Sequence, residues 1–343
     1  MKLRNILVTL GITILIVGIV LIVAGFVFSA DTTNKEVEKD FKTTRNVMNT
    51  PVTIYVIHEN EEVAQSSINK AFDRMIEIEN KMSHFNQDSY IAQLNAKSNL
   101  ENADPDVLYV VDRSKHYSEI SDGAFDITVK PILDLWESAF SPDGPNEPPN
   151  QSQIDETLQL VDFSSIEIDN SHIRMQKNMS IDLGGIAKGY AVDQAILVLK
   201  EEGIENAFVT AGGDGKYIGM NSIKNEKWVI GLQNPDRDQD FLTRMKLQNM
   251  SVATSGNYER YFSEEARVSH IADPRTGYPV DHLISTTVIA DKAISADSLA
   301  TALFVMDPDE GLQMIESIDY AECLIITKEK DKIRSSGFEK YEL

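Results

Sequence analysis

The chain has 343 residues, of which 42% are hydrophobic and 25% charged. That is room for one large domain or two ordinary ones, with the composition of a globular body rather than a disordered chain. The formal net charge of −22 repels polyanions, so it argues against nucleic acid or an anionic lipid surface as a partner of the body.

The first feature along the chain is the stretch from Ile6 to Phe28, which contains no charged residue. A helix of this length reaches roughly 35 Å at about 1.5 Å per residue, enough to cross a hydrocarbon layer of about 30 Å. Lys2 and Arg4 precede it and Asp31 follows, which orients the amino terminus to the cytoplasm and the body outside. A cleaved signal peptide is the competing reading. The apolar stretch exceeds the usual h-region of about 7–15 residues, and Phe28 fills a position of Phe28-Ser29-Ala30 that a cleavage site keeps small. Without a cysteine near residue 30, a lipoprotein anchor is excluded. The expected organisation is a cytoplasmic segment over 1–5, a transmembrane anchor over 6–28, a polar tether over 29–47 and a folded body over 48–343.

Within the body, Val52–His58 reads as a strand. Val63, Ile68, Phe72, Met75, Ile76 and Met82 fall near helical spacing over 63–82. Asp104 and Pro105 are a cap and first turn for a second helix. The Pro, Asn, Asp and Gly of 141–151 predict a surface loop. Ile166–Ile168 and Ile173–Met175 predict a hairpin turned at Asn170-Ser171. A helix over Lys188–Lys200 ends at Gly203, and the strand Ala207–Thr210 follows. Further strands are predicted at Trp228–Leu232, Leu242–Leu247, Ser251–Thr254, Thr286–Ile289 and Leu324–Thr327, and helices at Ser295–Val305 and Asp309–Ile318. Strands and helices interleave without βαβ regularity, which predicts an α+β class. The single cysteine, Cys323, lies in an apolar run and reads as a small core residue.

Three segments invite a chemical explanation. Ile181 to Gly189 places Gly184 and Gly185 before a helix and Lys188 in its first turn. Glycines admit close backbone approach and helix starts favour anions, so a phosphate site and a plain packing turn are both open. Asp297 and Thr301 stand at i and i+4 on one helix face, where carboxylate and hydroxyl could share Mg²⁺. Asp297 near a helix start reads equally as a cap or dipole partner. Ser269 to Pro279 combines strong turn residues with His270, a residue type able to titrate near neutrality, and Arg275, suited to phosphate or carboxylate. The glycine spacing of Gly213 to Gly219 fits neither a Walker A loop nor a Rossmann fingerprint, and the scattered histidines form no HExxH zinc motif.

Taken together, these runs resemble the ApbE family of FAD:protein FMN transferases. The resemblance is carried by Met82-Ser83-His84-Phe85 with Asp88-Ser89, Gly123 to Val129, Asp182 to Gly189, Thr254 to Tyr258, His270 to Pro279 and Asp297 to Thr301, in that order, and it covers about Met48 to Leu324. It implies a T-fold-like α+β catalytic domain with one FAD site, over 48–343. It further implies that Met48, Phe85, Ala124, Phe125, Asp126, Asp182, Lys188 and Ile271 line the FAD pocket. Gly185, Asp297, Ala300 and Thr301 would hold Mg²⁺, the two small residues through their carbonyls, and His270 would serve as base. The implied reaction moves FMN from FAD to a Thr or Ser hydroxyl of an exported or membrane redox protein and releases AMP. FAD pyrophosphatase activity, or flavin binding without catalysis, are the alternatives. Where the family reads Met-Gly-Thr, this chain has Met48-Asn49-Thr50, and Asn tolerates positive φ better than most residues.

Overall fold

The computed structural model describes residues 37–233, 241–257, 261–263 and 268–343; the stretch 6–28, read as a membrane span, lies outside them. Among the described residues no helix is long and apolar enough to cross a membrane.

Strands β1 (Lys39–Val47) and β2 (Thr50–His58) pair antiparallel from Lys39↔His58 to Val47↔Thr50. This corrects the tether expected over 29–47, whose last nine residues are a strand. Phe41, Thr43, Arg45 and Val47 lean inward while Lys42, Thr44 and Asn46 face water. Only two of the inward positions are apolar, so the period of two is masked in the sequence. Arg45 is tolerated there because its guanidinium lies over the Phe72 ring, 4.5 Å from the centroid, and donates to Asn69. The connecting residues Met48 and Asn49 have φ of 55° and 57°, the left-handed pair that a two-residue hairpin turn needs.

Helix α1 (Glu61–Met82) is capped by Asn60, which accepts from the Val63 N–H at 3.1 Å. Its Ile68, Phe72, Met75 and Ile78 are buried at helical spacing. Helix α2 (Tyr90–Lys97) and the short β3 (Asn99–Leu100) follow, then α3 (Pro105–Ile120) with the predicted Asp104 cap and Pro105 first turn. Two more helices are α4 (Lys130–Ala139) and α5 (Gln151–Leu158), the latter closed by an Asn150/Gln153 capping box. Strands β4 (Glu167–Asp169) and β5 (His172–Arg174) form the hairpin predicted at Asn170, whose φ is 52°. Helix α6 (Ala187–Glu201) stops at Gly203, and β6 (Asn206–Ala211) and β7 (Asp214–Ile218) pair across Gly212-Gly213. Then come β8 (Trp228–Gln233), β9 (Phe241–Leu247), β10 (Met250–Gly256), β11 (Tyr261–Ser263), β12 (Val268–Ser269) and β13 (Leu283–Ala290). Helices α7 (Ala293–Val305) and α8 (Pro308–Glu316) and strands β14 (Ala321–Thr327) and β15 (Lys332–Arg334) complete the fold.

Eight strands form one sheet in the order β1-β2-β6-β7-β10-β13-β14-β15, and its neighbours run antiparallel. This is the α+β arrangement expected. Helices α1, α6 and α7 cover one face, where Phe72, Val192, Leu299 and Leu303 pack with Ile54, Val209 and Val288. The β8–β9 hairpin and the turn Phe338–Tyr341 cover the other, around Tyr217, Trp228, Met245 and Leu324. Cys323 is buried in β14, and desolvation pushes its thiol up to about 12, so it is the inert core residue expected.

A polar tie locks the helices together. Asp106 of α3 accepts from Arg74 and Lys81 of α1 and from the Tyr190 hydroxyl of α6, at 2.5–2.8 Å. Burial opposes its charge, but these donors hold the carboxyl well below the usual carboxylate range.

Candidate active site

The site is built where α6 and α7 start side by side. In the turn leading into α6, Asp182 accepts from the Gly184 N–H through Oδ1 at 2.6 Å and faces His84 Nδ1 through Oδ2 at 3.2 Å. Its own N–H donates to the Ile127 carbonyl at 2.8 Å, which ties the glycine turn to the 123–129 segment. At Gly185 a Cβ would lie 2.9 Å from Thr301 Oγ1 and 3.2 Å from Phe125 Cε2. Glycine is therefore needed for closeness, since a side chain would push Thr301 away. Gly189 is tighter still, for a Cβ there would meet the Ala293 carbonyl oxygen at 2.4 Å and Asp297 Cβ at 2.8 Å.

Helix α7 is buried along its whole length except at Thr301, so that hydroxyl marks where the helix opens. One turn earlier, Asp297 is 3% exposed and accepts from the Gly189 N–H through Oδ2 at 2.8 Å. It caps the turn of a neighbouring helix rather than its own. Burial pushes its pKa up to about 6, against the pull of the Lys188 ammonium, and Asp214 pushes in the same direction as burial. Lys188 Nζ lies 2.6 Å from Asp214 Oδ2 and 3.6 Å from Asp297 Oδ1. Asp214 also accepts from the Thr254 N–H at 3.1 Å. Sequence reasoning misses this second carboxylate; its only signal is an acidic residue directly after the Gly212-Gly213 turn.

Three kinds of oxygen donor stand on the adjoining turns of α6 and α7. They are the Asp297 carboxylate, the Thr301 hydroxyl with Ser255 Oγ at 3.4 Å, and the backbone of Gly185. Among the described residues no three His, Cys, Asp or Glu gather as a metal cluster. A hard cation takes hydroxyl and carbonyl oxygens as readily as carboxylates. The Asp297 carboxylate is buried with Lys188 shared between it and Asp214, and the side chain missing at Gly185 leaves its backbone close beside Thr301. The donor chemistry fits Mg²⁺. The Ala300 carbonyl accepts from Thr286 Oγ1 at 2.7 Å, so of the four predicted ligands it is the one already engaged across to β13.

The surrounding walls come from the other predicted segments. Ala124 and Phe125 are buried. The Asp126 carboxylate accepts from the Thr128 N–H and hydroxyl and from the Phe163 N–H, and burial raises its pKa. Asp126 is thereby fixed in the wall by three donors. Phe85 is 81% exposed and lies tilted against the His84 ring, with centroids 3.9 Å apart. Met48 packs on the main core beside the turn at Thr50, which itself abuts Gly212. His270 and Ile271 directly follow β12, both half-buried. Their loop is braced by Ile271 O accepting from the Val280 N–H and by Trp136 Nε1 donating to the Gly277 carbonyl, at 2.9 and 2.8 Å. It meets the 123–126 segment where Arg275 passes Gly123. Behind it, Ala272 of this loop joins Ile132 and Trp136 of α4 and Ile154 of α5 in a satellite core.

The chain is similar to known proteins along most of its length. The model of the ApbE family matches residues 48–325. The chain is 32% identical over 275 residues to an FAD:protein FMN transferase of Haemophilus influenzae, covering 76% of this chain and 79% of that protein. It is 29% identical over 302 residues to one of Vibrio cholerae, covering 86% and 88%. Among solved structures, the ApbE protein of Thermotoga maritima superposes with a TM-score of 0.81 at 32% identity, covering 89% of this chain and all of that one. The flavin transferase ApbE of Vibrio cholerae gives 0.76 at 25%, with the same coverage.

Proposed function

This chain belongs to the ApbE family and is a flavin transferase; we propose that it moves FMN from FAD to a Thr or Ser hydroxyl of an exported or membrane redox protein, with AMP as the other product. The observation that carries the proposal is the meeting of Gly185, Thr301, Asp297 and Lys188 at the paired starts of α6 and α7. It supplies oxygen donors and an ammonium group together, as a diphosphate requires.

Gly185, Asp297, Thr301 and the Ala300 carbonyl would hold Mg²⁺, which when bound offsets the charge of the FAD diphosphate and fixes its orientation. Lys188, held by Asp214 at 2.6 Å, keeps its ammonium within reach of a phosphate oxygen and stabilises charge developing there. The glycine turn lets the backbone approach the same group. Phe85, Phe125, Ala124, Met48 and Ile271 offer apolar surface for the flavin, with Asp126 and Asp182 shaping the turns behind it. His270 takes the proton from the acceptor hydroxyl. The hydroxyl oxygen bonds to the phosphorus nearer the flavin, and the P–O bond to the adenylate breaks, releasing AMP. The uncharged run over 6–28 supports tethering of this body at the outer face of the membrane.

A direct test incubates the protein with FAD, Mg²⁺ and an exported redox protein carrying an Asp/Ser/Gly-Ala-Thr/Ser-type motif. Flavin fluorescence on the acceptor in a denaturing gel, matched by AMP and absent from a Thr→Ala acceptor, is the expected result. AMP with free FMN and no labelled acceptor would identify a pyrophosphatase instead.

A further inference from the structure

We infer that Asp193 is a positioning residue that sets the cation affinity of the site, although it lies outside every segment assigned to flavin or metal above. It stands one helical turn beyond Gly189 on α6. Its carboxylate accepts from the first two N–H groups of α7, Ala293 N to Oδ1 at 3.1 Å and Ile294 N to Oδ2 at 3.0 Å. The residue at the natural cap position of α7, Lys292, makes no side-chain cap bond, so the cap that a helix start needs comes from α6. Lys216 of β7 closes the arrangement, its Nζ 2.7 Å from Asp193 Oδ1, with both side chains 14% exposed.

The consequence follows from the spacing. Asp297 lies one turn into α7, and its oxygen meets the Gly189 N–H only because the two helices touch at Gly189 and Ala293. Asp193 clamps that seam from the next turn of α6, and through Lys216 ties it to β7, which begins at Asp214. One carboxylate thus links the three elements that carry Lys188, Asp214 and the pair Asp297 and Thr301. Ligand geometry at a hard cation tolerates little displacement, and loss of an outer-shell partner typically weakens metal binding by about 10- to 100-fold.

This inference rests on the Mg²⁺ reading above, and its test separates the two. Mn²⁺ binding is titrated by electron paramagnetic resonance, with and without FAD, on wild type, Asp193→Asn, Lys216→Met and Gly203→Ala. Asn offers one acceptor oxygen and a donor amide to two N–H groups, so Asp193→Asn is expected to weaken Mn²⁺ binding by about 10- to 100-fold. FAD affinity in EDTA and far-ultraviolet circular dichroism should stay unchanged. Lys216→Met keeps both caps and should cause a smaller loss. Gly203→Ala loosens the far end of α6 and should leave Mn²⁺ affinity unchanged. Wild-type Mn²⁺ affinity in Asp193→Asn, or an equal loss in Gly203→Ala, overturns the role of Asp193. A wild type that binds no Mn²⁺ under either condition overturns the cation reading itself.

Discussion

Gly189→Ala isolates the helix seam on which the site depends. The added Cβ would stand 2.4 Å from the Ala293 carbonyl oxygen and 2.7 Å from its carbon. Ordinary contact begins near about 3.5 Å, so the helices must part by roughly 1 Å. These neighbours are backbone and cannot rotate away, so the overpacking should cost about 1–3 kcal/mol. At roughly 2 cal/mol/K of unfolding entropy per residue, that lowers the melting temperature by about 2–5 °C. The functional loss should be larger than the loss of stability. Parting the seam by that amount takes Asp297 Oδ2 from 2.8 Å beyond hydrogen-bond range of Gly189 N, and a displacement of about 1 Å at a reacting centre can cost about a hundredfold in rate. The assay is AMP release from FAD with acceptor, beside a thermal melt. Gly203→Ala is the matched control, since its φ of +84° strains a side chain by about 1–2 kcal/mol while nothing lies within 4 Å of the new atom. It should lower the melting temperature and leave transfer intact. Wild-type transfer in Gly189→Ala, or equal loss in both variants, would refute the reasoning.

Two further outcomes follow from particular contacts. Burial raises the Asp297 pKa from 3.8 to about 6, so between those values the folded chain holds a proton that the unfolded chain has lost. The stability this contributes is complete below about pH 4 and lost as pH rises through about 6. Asp297→Asn should therefore raise the melting temperature at pH 8 in EDTA, leave it nearly unchanged at pH 4, and abolish transfer; a melting curve as pH-sensitive as wild type across that window would sink the assignment. Trp136→Phe removes the donor to the Gly277 carbonyl and should cost about 1–2 kcal/mol. Because that bond braces the loop carrying His270, turnover should fall while the Mg²⁺ requirement stays the same, which a metal titration of initial rates checks.

Much of the architecture is legible from local signals. Asp104-Pro105, Asn170 and Gly203 appear in the structure as the cap, turn and stop that their chemistry demands. The expected strands of the central sheet carry enough β-branched and apolar residues to be recognised without their partners. Helices α2, α4 and α5 are not recognised, because each spans fewer than three turns and a helical period needs a longer window to stand out. Strand β1 is hidden for a related reason, since Thr43 and Arg45 occupy inward positions.

From the sequence alone follow the chemistry and its order along the chain: a glycine turn before Lys188, a carboxylate and hydroxyl one helical turn apart, and a histidine on a turn-rich loop. Only the tertiary structure shows that Asp214 holds Lys188, that Asp193 caps a helix a hundred residues away, and that Gly185 and Gly189 are glycines because another helix passes within contact of them. Local dihedral preference and burial periodicity are properties of neighbouring residues and can be read along the chain. Close approach between α6 and α7 is a property of the packed pair, and no spacing within either helix encodes it.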